Sequence, residues 1–125
     1  MLDWKKTLLS AQSSLKDSIK VLHEGGYRIA LVVDNQKKLI GTLTDGDIRR
    51  ALMNGTKMSA SISNVINKKP ITAKKTDSRN FILSLMKDLS ILHVPIIDDV
   101  GVVCGLEILQ YLTEKPTYDN PVFIM

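Results

Sequence analysis

The stretch RIALVVDNQKKLIGTLT, residues 28–44, contains the pattern that decides the fold. An apolar run ends in Asp34, a polar turn follows, and a second apolar run leads to Thr44. Apolar runs of this length between turn residues are typical of strands that are buried on both faces. We therefore expect two adjacent strands joined by a short turn, with a helix beginning after Thr44.

The same pattern recurs 64 residues further along the chain. HVPIIDD (93–99) and VVCGLE (102–107) repeat the two apolar runs, and the shift superposes Asp34 on Asp98 and Gly41 on Gly105 without a gap. A fixed internal shift of this kind indicates one structural unit written twice. The unit is strand–helix–strand–strand–helix, and we place the repeats at 1–67 and 68–115, with 116–125 as a linker and a further strand.

Helix signals precede the first apolar run of each repeat. Leu15, Ile19 and Leu22 lie on one helical face, and the corresponding helix of the second repeat has the same periodicity in Ile82, Leu85, Met86 and Leu89. Ser14 and the Thr76–Ser78 stretch supply N-caps, and the Gly25–Gly26 pair ends the first helix. About 60 residues bury too little surface to be stable alone, so the two sheets are expected to pack face to face.

Composition excludes several classes of protein. The chain has 125 residues, of which 44% are hydrophobic and 24% charged, as in a globular protein. No apolar run approaches the 18 or so residues that cross a bilayer, and the N-terminus lacks the apolar core of a secretory signal. The single cysteine, Cys104, lies in an apolar run, and we expect it to be buried in a reducing, cytoplasmic setting.

The net charge of +4 does not by itself indicate a nucleic-acid partner. The basic residues are scattered, and the densest group, Lys68, Lys69, Lys74 and Lys75, lies in the connection between the repeats. No aromatic residues are interleaved with these lysines to provide a stacking platform. We expect no binding to nucleic acid or membrane.

The doubled unit, together with GTLTDGDI (41–48), resembles a tandem pair of CBS domains, also called a Bateman module. This resemblance implies an α+β fold of two β-α-β-β-α repeats, packed sheet to sheet around a pseudo-twofold axis. A narrower resemblance, in GGYRIALVVD, GTLTDGDIRRAL and the final DNPVFIM, is to the regulatory N-terminal region of sugar-phosphate nucleotidyltransferases. It implies a non-catalytic fragment whose catalytic domain would begin at Pro121–Met125.

The helix start in GTLTDGDIRRAL (41–52) has two interpretations. Thr44 and Asp47 have the spacing of a capping box, and two early acids suit the helix dipole, so a purely structural role explains every residue. The CBS resemblance instead implies that Asp47 accepts hydrogen bonds from the ribose hydroxyls of an adenine nucleotide while Thr44 contacts a phosphate. A catalytic or metal-binding role for Asp45 and Asp47 is poorly supported, because no further ligand or nucleophile accompanies them.

The resemblance implies that the second repeat holds the adenine through residues before and within its first two strands: Ile71, Thr72, Leu92, His93 and Val94. His93 stands where a basic phosphate contact is often found, although a loop histidine without a ligand fits equally well. The second repeat has Ile108 and Tyr111 where the first has Thr44 and Asp47. One nucleotide per chain is therefore expected, with Arg28 flanking the defective second site.

These observations lead to one function and one alternative. We expect a regulatory module that binds AMP, ADP or ATP without a metal or cofactor, forms a homodimer, and modulates an attached nucleotidyltransferase domain. The alternative is a structural dimerisation module with no ligand. Trp4 and Tyr27 are expected to be packing residues.

Overall fold

The computed structural model describes residues 3–109. Its first repeat follows a short 3-10 helix at Trp4–Thr7 and contains β1 (Leu8–Ser10), α1 (Leu15–Gly25), β2 (Ile29–Val33), β3 (Leu39–Thr44) and α2 (Asp45–Met53). A second 3-10 helix at Ile62–Asn64 lies in the connection to the second repeat, which contains β4 (Ala73–Lys74), α3 (Arg79–Leu89), β5 (His93–Ile97) and β6 (Val103–Ile108).

The strands form two three-stranded sheets of the same topology. In each sheet the central strand pairs in parallel with the first strand and antiparallel with the third, giving the orders β1-β2-β3 and β4-β5-β6. Val32 lies opposite Gly41 and Ile96 opposite Gly105. The next pairs, Val33 with Leu39 and Ile97 with Val103, leave one extra residue in β3 and one in β6, so the two sheets have equivalent bulges. The pairing therefore confirms the 64-residue shift residue by residue.

The two sheets pack face to face, and the helices cover their outer faces. One face of β2 packs against β6 through a cluster of Ile29, Leu31, Val33, Val103, Leu106 and Ile108, with Trp4 and Tyr27 at its edge. The other face of β2 packs against α1 and α2, and the outer face of β5 packs against α3. The expected α+β architecture is confirmed, as is the burial of both faces of β2.

A pseudo-twofold axis passes between the two hairpin turns. Lys38 forms a β-bridge with Val102, and these two residues are counterparts of each other under the 64-residue shift. On either side, the N–H of Leu39 donates to the carbonyl of Gly101 and the N–H of Val103 donates to the carbonyl of Lys37, both at 3.0 Å. These two hydrogen bonds are themselves equivalent under the shift, as a twofold relation requires.

The predicted helix caps are present. Ser14 Oγ accepts a hydrogen bond from the N–H of Asp17, and Ser78 Oγ accepts one from the N–H of Phe81, both at 3.1 Å. Gly26 ends α1 in the left-handed conformation with φ 77°. The counterpart of Gly26 in the second repeat is Ser90, which adopts the same conformation with φ 55°.

The structure corrects the prediction that Cys104 is buried. Cys104 is the extra residue of a bulge in β6, between Val103, which pairs with Ile97, and Gly105, which pairs with Ile96, and its side chain is exposed. The boundary between 1–67 and 68–115 stays a prediction, and residues 110–125, including the linker at 116–125, lie outside the described range. None of the helices within residues 3–109 has the length and apolar character of a membrane span.

Candidate functional site

A cavity of about 430 Å³ lies between the repeats, where the start of α2 faces the residues that precede β4 and β5. This volume is within the range of small-molecule sites in proteins. The cavity is lined by Arg28, Ile29, Thr42, Thr44, Asp45, Gly46, Asn67, Lys69, Pro70, Ile71, Ile91, Leu92, His93 and Pro95. Four of the seven residues predicted from the sequence are therefore on its wall: Thr44, Ile71, Leu92 and His93.

Asp47, predicted to contact ribose, forms the helix cap instead of lining the cavity. Its carboxylate accepts hydrogen bonds from the backbone N–H of Thr44 at 2.9 Å and from the Thr44 hydroxyl at 3.1 Å, completing a capping box. Its other oxygen forms an ion pair with Arg50, and only 14% of the Asp47 side chain is exposed. Asp45, two residues earlier, is the carboxylate on the cavity wall.

His93 connects the two repeats across the back of the cavity. Its Nε2 lies 2.7 Å from the carbonyl oxygen of Tyr27, and because that oxygen is an acceptor, Nε2 carries the proton. Burial lowers the pKa of His93 below its usual value, opposed in part by this hydrogen bond. At neutral pH the ring is therefore uncharged, with Nδ1 as an acceptor, and not the basic contact that the sequence suggested.

The apolar wall of the cavity consists of side chains that are unusually exposed. Ile71 is 41% exposed and Leu92 is 61% exposed, although both are large aliphatic residues. Thr72 and Val94, also predicted for this wall, do not line it, and Val94 is completely buried against α3. An open apolar surface beside polar groups is the usual arrangement of a ligand site.

Two basic residues line this cavity together with the start of α2. Arg28, predicted to flank the second site, lines the same cavity as Thr44, and its backbone is left-handed with φ 62°. Lys69 lines the cavity as well, although its place among the lysines of the connection between the repeats did not predict a site. Cations beside the N-terminus of a helix provide a favourable environment for an anion. No cluster of three metal-ligating side chains occurs within residues 3–109.

The comparisons with known proteins agree with this architecture. Residues 7–54 match the model of the CBS domain. The chain is 30% identical over 112 residues to an inosine-5'-monophosphate dehydrogenase of Nitrosopumilus maritimus, covering 90% of this chain and 22% of that protein. The chain thus spans about a fifth of the length of this relative.

Two solved structures extend the likeness to both repeats. A CBS domain protein from Pyrobaculum aerophilum, complexed with AMP, superposes with a TM-score of 0.79 at 19% identity, and 93% of each chain is covered. The CBS domain pair of protein MJ0100, in complex with 5'-methylthioadenosine and S-adenosyl-L-methionine, superposes with a TM-score of 0.74 at 25% identity, covering 82% of this chain and 81% of that one. Residues 7–54 are therefore similar to a CBS domain, and residues 3–109 have the fold of a CBS domain pair.

Proposed function

We propose that this chain is a non-catalytic regulatory module that binds one adenine nucleotide in the cavity between its repeats. The observation that carries the proposal is the coexistence of an exposed apolar wall and two cations at the start of α2 within one cavity. A purine needs apolar surface and a phosphate needs cations or helix N–H groups, and the two are adjacent here. The adenosine compounds in the two similar structures support the same ligand class.

The proposed orientation follows from the chemistry of the wall. The adenine lies against Ile71 and Leu92, while the phosphate contacts the Thr44 hydroxyl, Arg28 and Lys69. The unprotonated Nδ1 of His93 is an acceptor, which suits the exocyclic amino group of adenine. Asp47 remains our proposed ribose contact. Its ion pair with Arg50, whose side chain is 69% exposed, would open when the ligand binds.

We propose a single nucleotide per chain because the second repeat lacks the polar helix start. Ile108, buried between the sheets, occupies the position of Thr44. Tyr111, the counterpart of Asp47, lies outside the described residues. An aliphatic side chain offers a phosphate no hydrogen bond, so the equivalent cleft is not expected to bind one.

Titration calorimetry with AMP, ADP and ATP tests this proposal directly. We expect a stoichiometry of one per chain and a thermal stabilisation that rises with ligand concentration, since a ligand at 100 times its Kd adds about 2.7 kcal/mol. Arg28→Gln should weaken binding, and Lys20→Gln, at an exposed position on α1 outside the cavity, is the matched control. Absence of binding at millimolar nucleotide would contradict the proposal.

We further propose that the module modulates an attached sugar-phosphate nucleotidyltransferase domain in the cytoplasm. The support is the sequence resemblance of GTLTDGDIRRAL and of the segment at 116–125, which we assign to a linker and a first strand. In the full-length protein, nucleotidyl transfer should change with AMP concentration, and Arg28→Gln should remove the response. If the rate of nucleotidyl transfer does not change with AMP, ADP or ATP, this proposal is contradicted.

A structural role in dimerisation is the second candidate function, and exposed apolar side chains on the helices favour it. Met53 at the end of α2 is 79% exposed and Phe81 on α3 is 52% exposed. We propose a twofold homodimer, the commonest oligomer. Light scattering should give a mass twice that of one chain. If α2 lies in the interface, Met53→Asp should reduce this mass, and if α3 does, Phe81→Asp should reduce it. A monomer at high concentration would exclude the dimer.

A further inference from the structure

A second cavity, of about 340 Å³, lies between the end of α1 and the start of α2, and we call it the α1–α2 cavity. It is lined by Ile19, Leu22, His23, Gly26, Arg28 and Asp45. Arg28 and Asp45 also line the cavity between the repeats, in which we place the nucleotide. The two cavities therefore adjoin each other at this pair of charged residues.

Arg28 and Asp45 stand opposite each other at the end of the β2–β3 ladder. Ile29 pairs with Thr44, so the register places Arg28, the residue before Ile29, across from Asp45, the residue after Thr44. Both residues are exposed, and although their charges are opposite, the structure of residues 3–109 shows no ion pair between them. A guanidinium and a carboxylate, held apart, thus flank the boundary between the two cavities.

The proposed orientation of the nucleotide brings its first phosphate to this boundary. That phosphate contacts the Thr44 hydroxyl, Arg28 and Lys69, and of these three residues Arg28 is the one that also lines the α1–α2 cavity. Because the α1–α2 cavity adjoins these contacts, the further phosphates of ADP and ATP would pass Arg28 and Asp45 and enter it.

The α1–α2 cavity offers further phosphates few favourable contacts. Ile19 and Leu22 are aliphatic and provide no hydrogen-bond donors. Among the lining residues, His23 is the one side chain besides Arg28 that can donate to a phosphate, and Arg28 is already engaged by the first phosphate. The Asp45 carboxylate has no hydrogen-bond or ion-pair partner within residues 3–109 that would offset its charge.

The second repeat shows that the fold does not require a carboxylate at this position. Under the 64-residue shift the counterpart of Asp45 is Leu109, which packs against the core cluster beside α3, and the counterpart of Arg28 is Leu92. Asp45 does place a favourable charge at the start of α2, but Asp47 already caps this helix. The charged boundary is therefore a feature of the first repeat that the second repeat lacks.

We infer that Asp45 determines specificity and makes the module prefer AMP to ADP and ATP. This inference rests on the proposed nucleotide site and adds to it the number of phosphates that the site accepts. Each further phosphate brings negative charge towards the Asp45 carboxylate, and like charges repel. It also enters a cavity with an aliphatic floor, where a charged group loses hydration. AMP, whose single phosphate ends at Thr44, Arg28 and Lys69, avoids both costs.

Titration calorimetry with AMP and ATP, in the absence of divalent cations, tests the inference through the ratio of the two dissociation constants. The unchanged chain should bind AMP more tightly than ATP. Asp45→Asn removes the charge and keeps the shape, and it should shift the ratio towards ATP by about fivefold, the size expected for one unit charge at an exposed site. Asp88→Asn, at an exposed position on α3 outside both cavities, makes the same change in net charge and should leave the ratio as it was.

Substitutions of His23 give a second, independent measurement, because His23 lines the α1–α2 cavity and not the nucleotide cavity. His23→Glu should weaken the binding of ATP more than that of AMP, and His23→Lys should strengthen the binding of ATP more than that of AMP. A ratio that does not shift as stated at either position would overturn the inference and leave the proposed nucleotide site standing. Equal or tighter binding of ATP by the unchanged chain would do the same. If neither nucleotide binds to the unchanged chain, the proposed function and this inference fail together.

Discussion

The imidazole of His93 donates its Nε2 proton to the carbonyl of Tyr27 at 2.7 Å, across the boundary between the two repeats. Under the 64-residue shift the counterparts of these residues are Ile29 and Ile91, so the bond exists on one side of the pseudo-twofold axis only. The side that has it is the side with the polar helix start of α2. The two differences between the repeats, this hydrogen bond and the polar start of α2, therefore lie at the same cavity.

The stability of the protein should depend on the protonation of His93. Burial lowers the pKa of this group in the folded state, so folding favours the neutral ring. Its contribution is fully present above the unfolded value of about 6.5 and is lost as the pH falls from there through the lower folded pKa. Urea unfolding at a series of pH values from about 7.5 to about 5.5, one unit either side of that value, should show the start of this loss.

His93→Gln should flatten the pH dependence between these limits. The sequence has two histidines, and His23→Gln, at an exposed position on α1, is the control that should keep it. If His93→Gln and the unchanged protein lose the same free energy on acidification, the buried ring is not the responsible group.

Substitutions of Asp45 and Asp47 distinguish the contribution of helix capping to stability from the contribution of a carboxylate to nucleotide binding. Asp47→Ala should cost about 1 kcal/mol of stability, because it removes half of the capping box. It should also abolish the thermal shift with AMP, because we propose that this carboxylate binds ribose. Thermal unfolding with and without AMP measures both effects.

Asp45→Ala is the matched comparison, since Asp45 lies on the cavity wall and makes no side-chain hydrogen bond or ion pair within residues 3–109. It should retain AMP binding. Loss of binding in Asp45→Ala together with retention in Asp47→Ala would transfer the ribose contact to Asp45.

Arg28→Gly should raise the free energy of unfolding and lower the affinity for AMP. A non-glycine residue in the left-handed region costs about 1–2 kcal/mol, so glycine should relieve part of this strain at φ 62°. The same change removes a cation from the nucleotide cavity, so AMP binding should weaken. Chemical denaturation and calorimetry on the same variant measure the two effects.

Lys37→Gly is the control for this prediction. Lys37 also has a positive φ, of 66°, but it lies in the turn between β2 and β3, and its counterpart in the second repeat is already Gly101. It should gain stability without any loss of AMP affinity. Equal losses of affinity in the two variants would mean that Arg28 does not contact the ligand.

Gly41→Ala and Gly105→Ala occupy equivalent positions and should behave differently. A Cβ at Gly41 would meet the backbone oxygen of Asn67 at 2.5 Å, so overpacking should cost about 1–3 kcal/mol. At Gly105 the nearest atom is 3.5 Å away, an ordinary contact, and alanine should be tolerated. Urea unfolding compares the two variants, and similar losses of stability would contradict the close approach of the Asn67 backbone to Gly41.

Much of this fold could be predicted because the decisive signals are local. The apolar runs specify the central strands, Ser14 and Ser78 specify the helix starts, and the repeat specifies the equivalence of the sheets. Each signal depends on a few neighbouring residues, and each is confirmed by the structure.

The site was predicted only in part because its contacts join distant parts of the chain. The exposure of Cys104 follows from its position as the extra residue of a bulge, which depends on how β6 pairs with β5 and which strand alternation does not reveal. The position of Arg28 depends on a left-handed backbone that sequence patterns do not favour for arginine. The role of His93 depends on an acceptor 66 residues away, at Tyr27.

The packing of β2 against β6 has a consequence for synthesis on the ribosome. The inner face of β2, made of Ile29, Leu31 and Val33, is covered by a strand that is completed about 75 residues later, which takes roughly 4–15 s at ordinary rates of translation. During this interval the nascent first repeat presents a bare apolar sheet to the solvent and to neighbouring nascent chains. Aggregation during translation is therefore the hazard that this duplicated architecture carries, and slowing elongation through residues 68–108 should increase it.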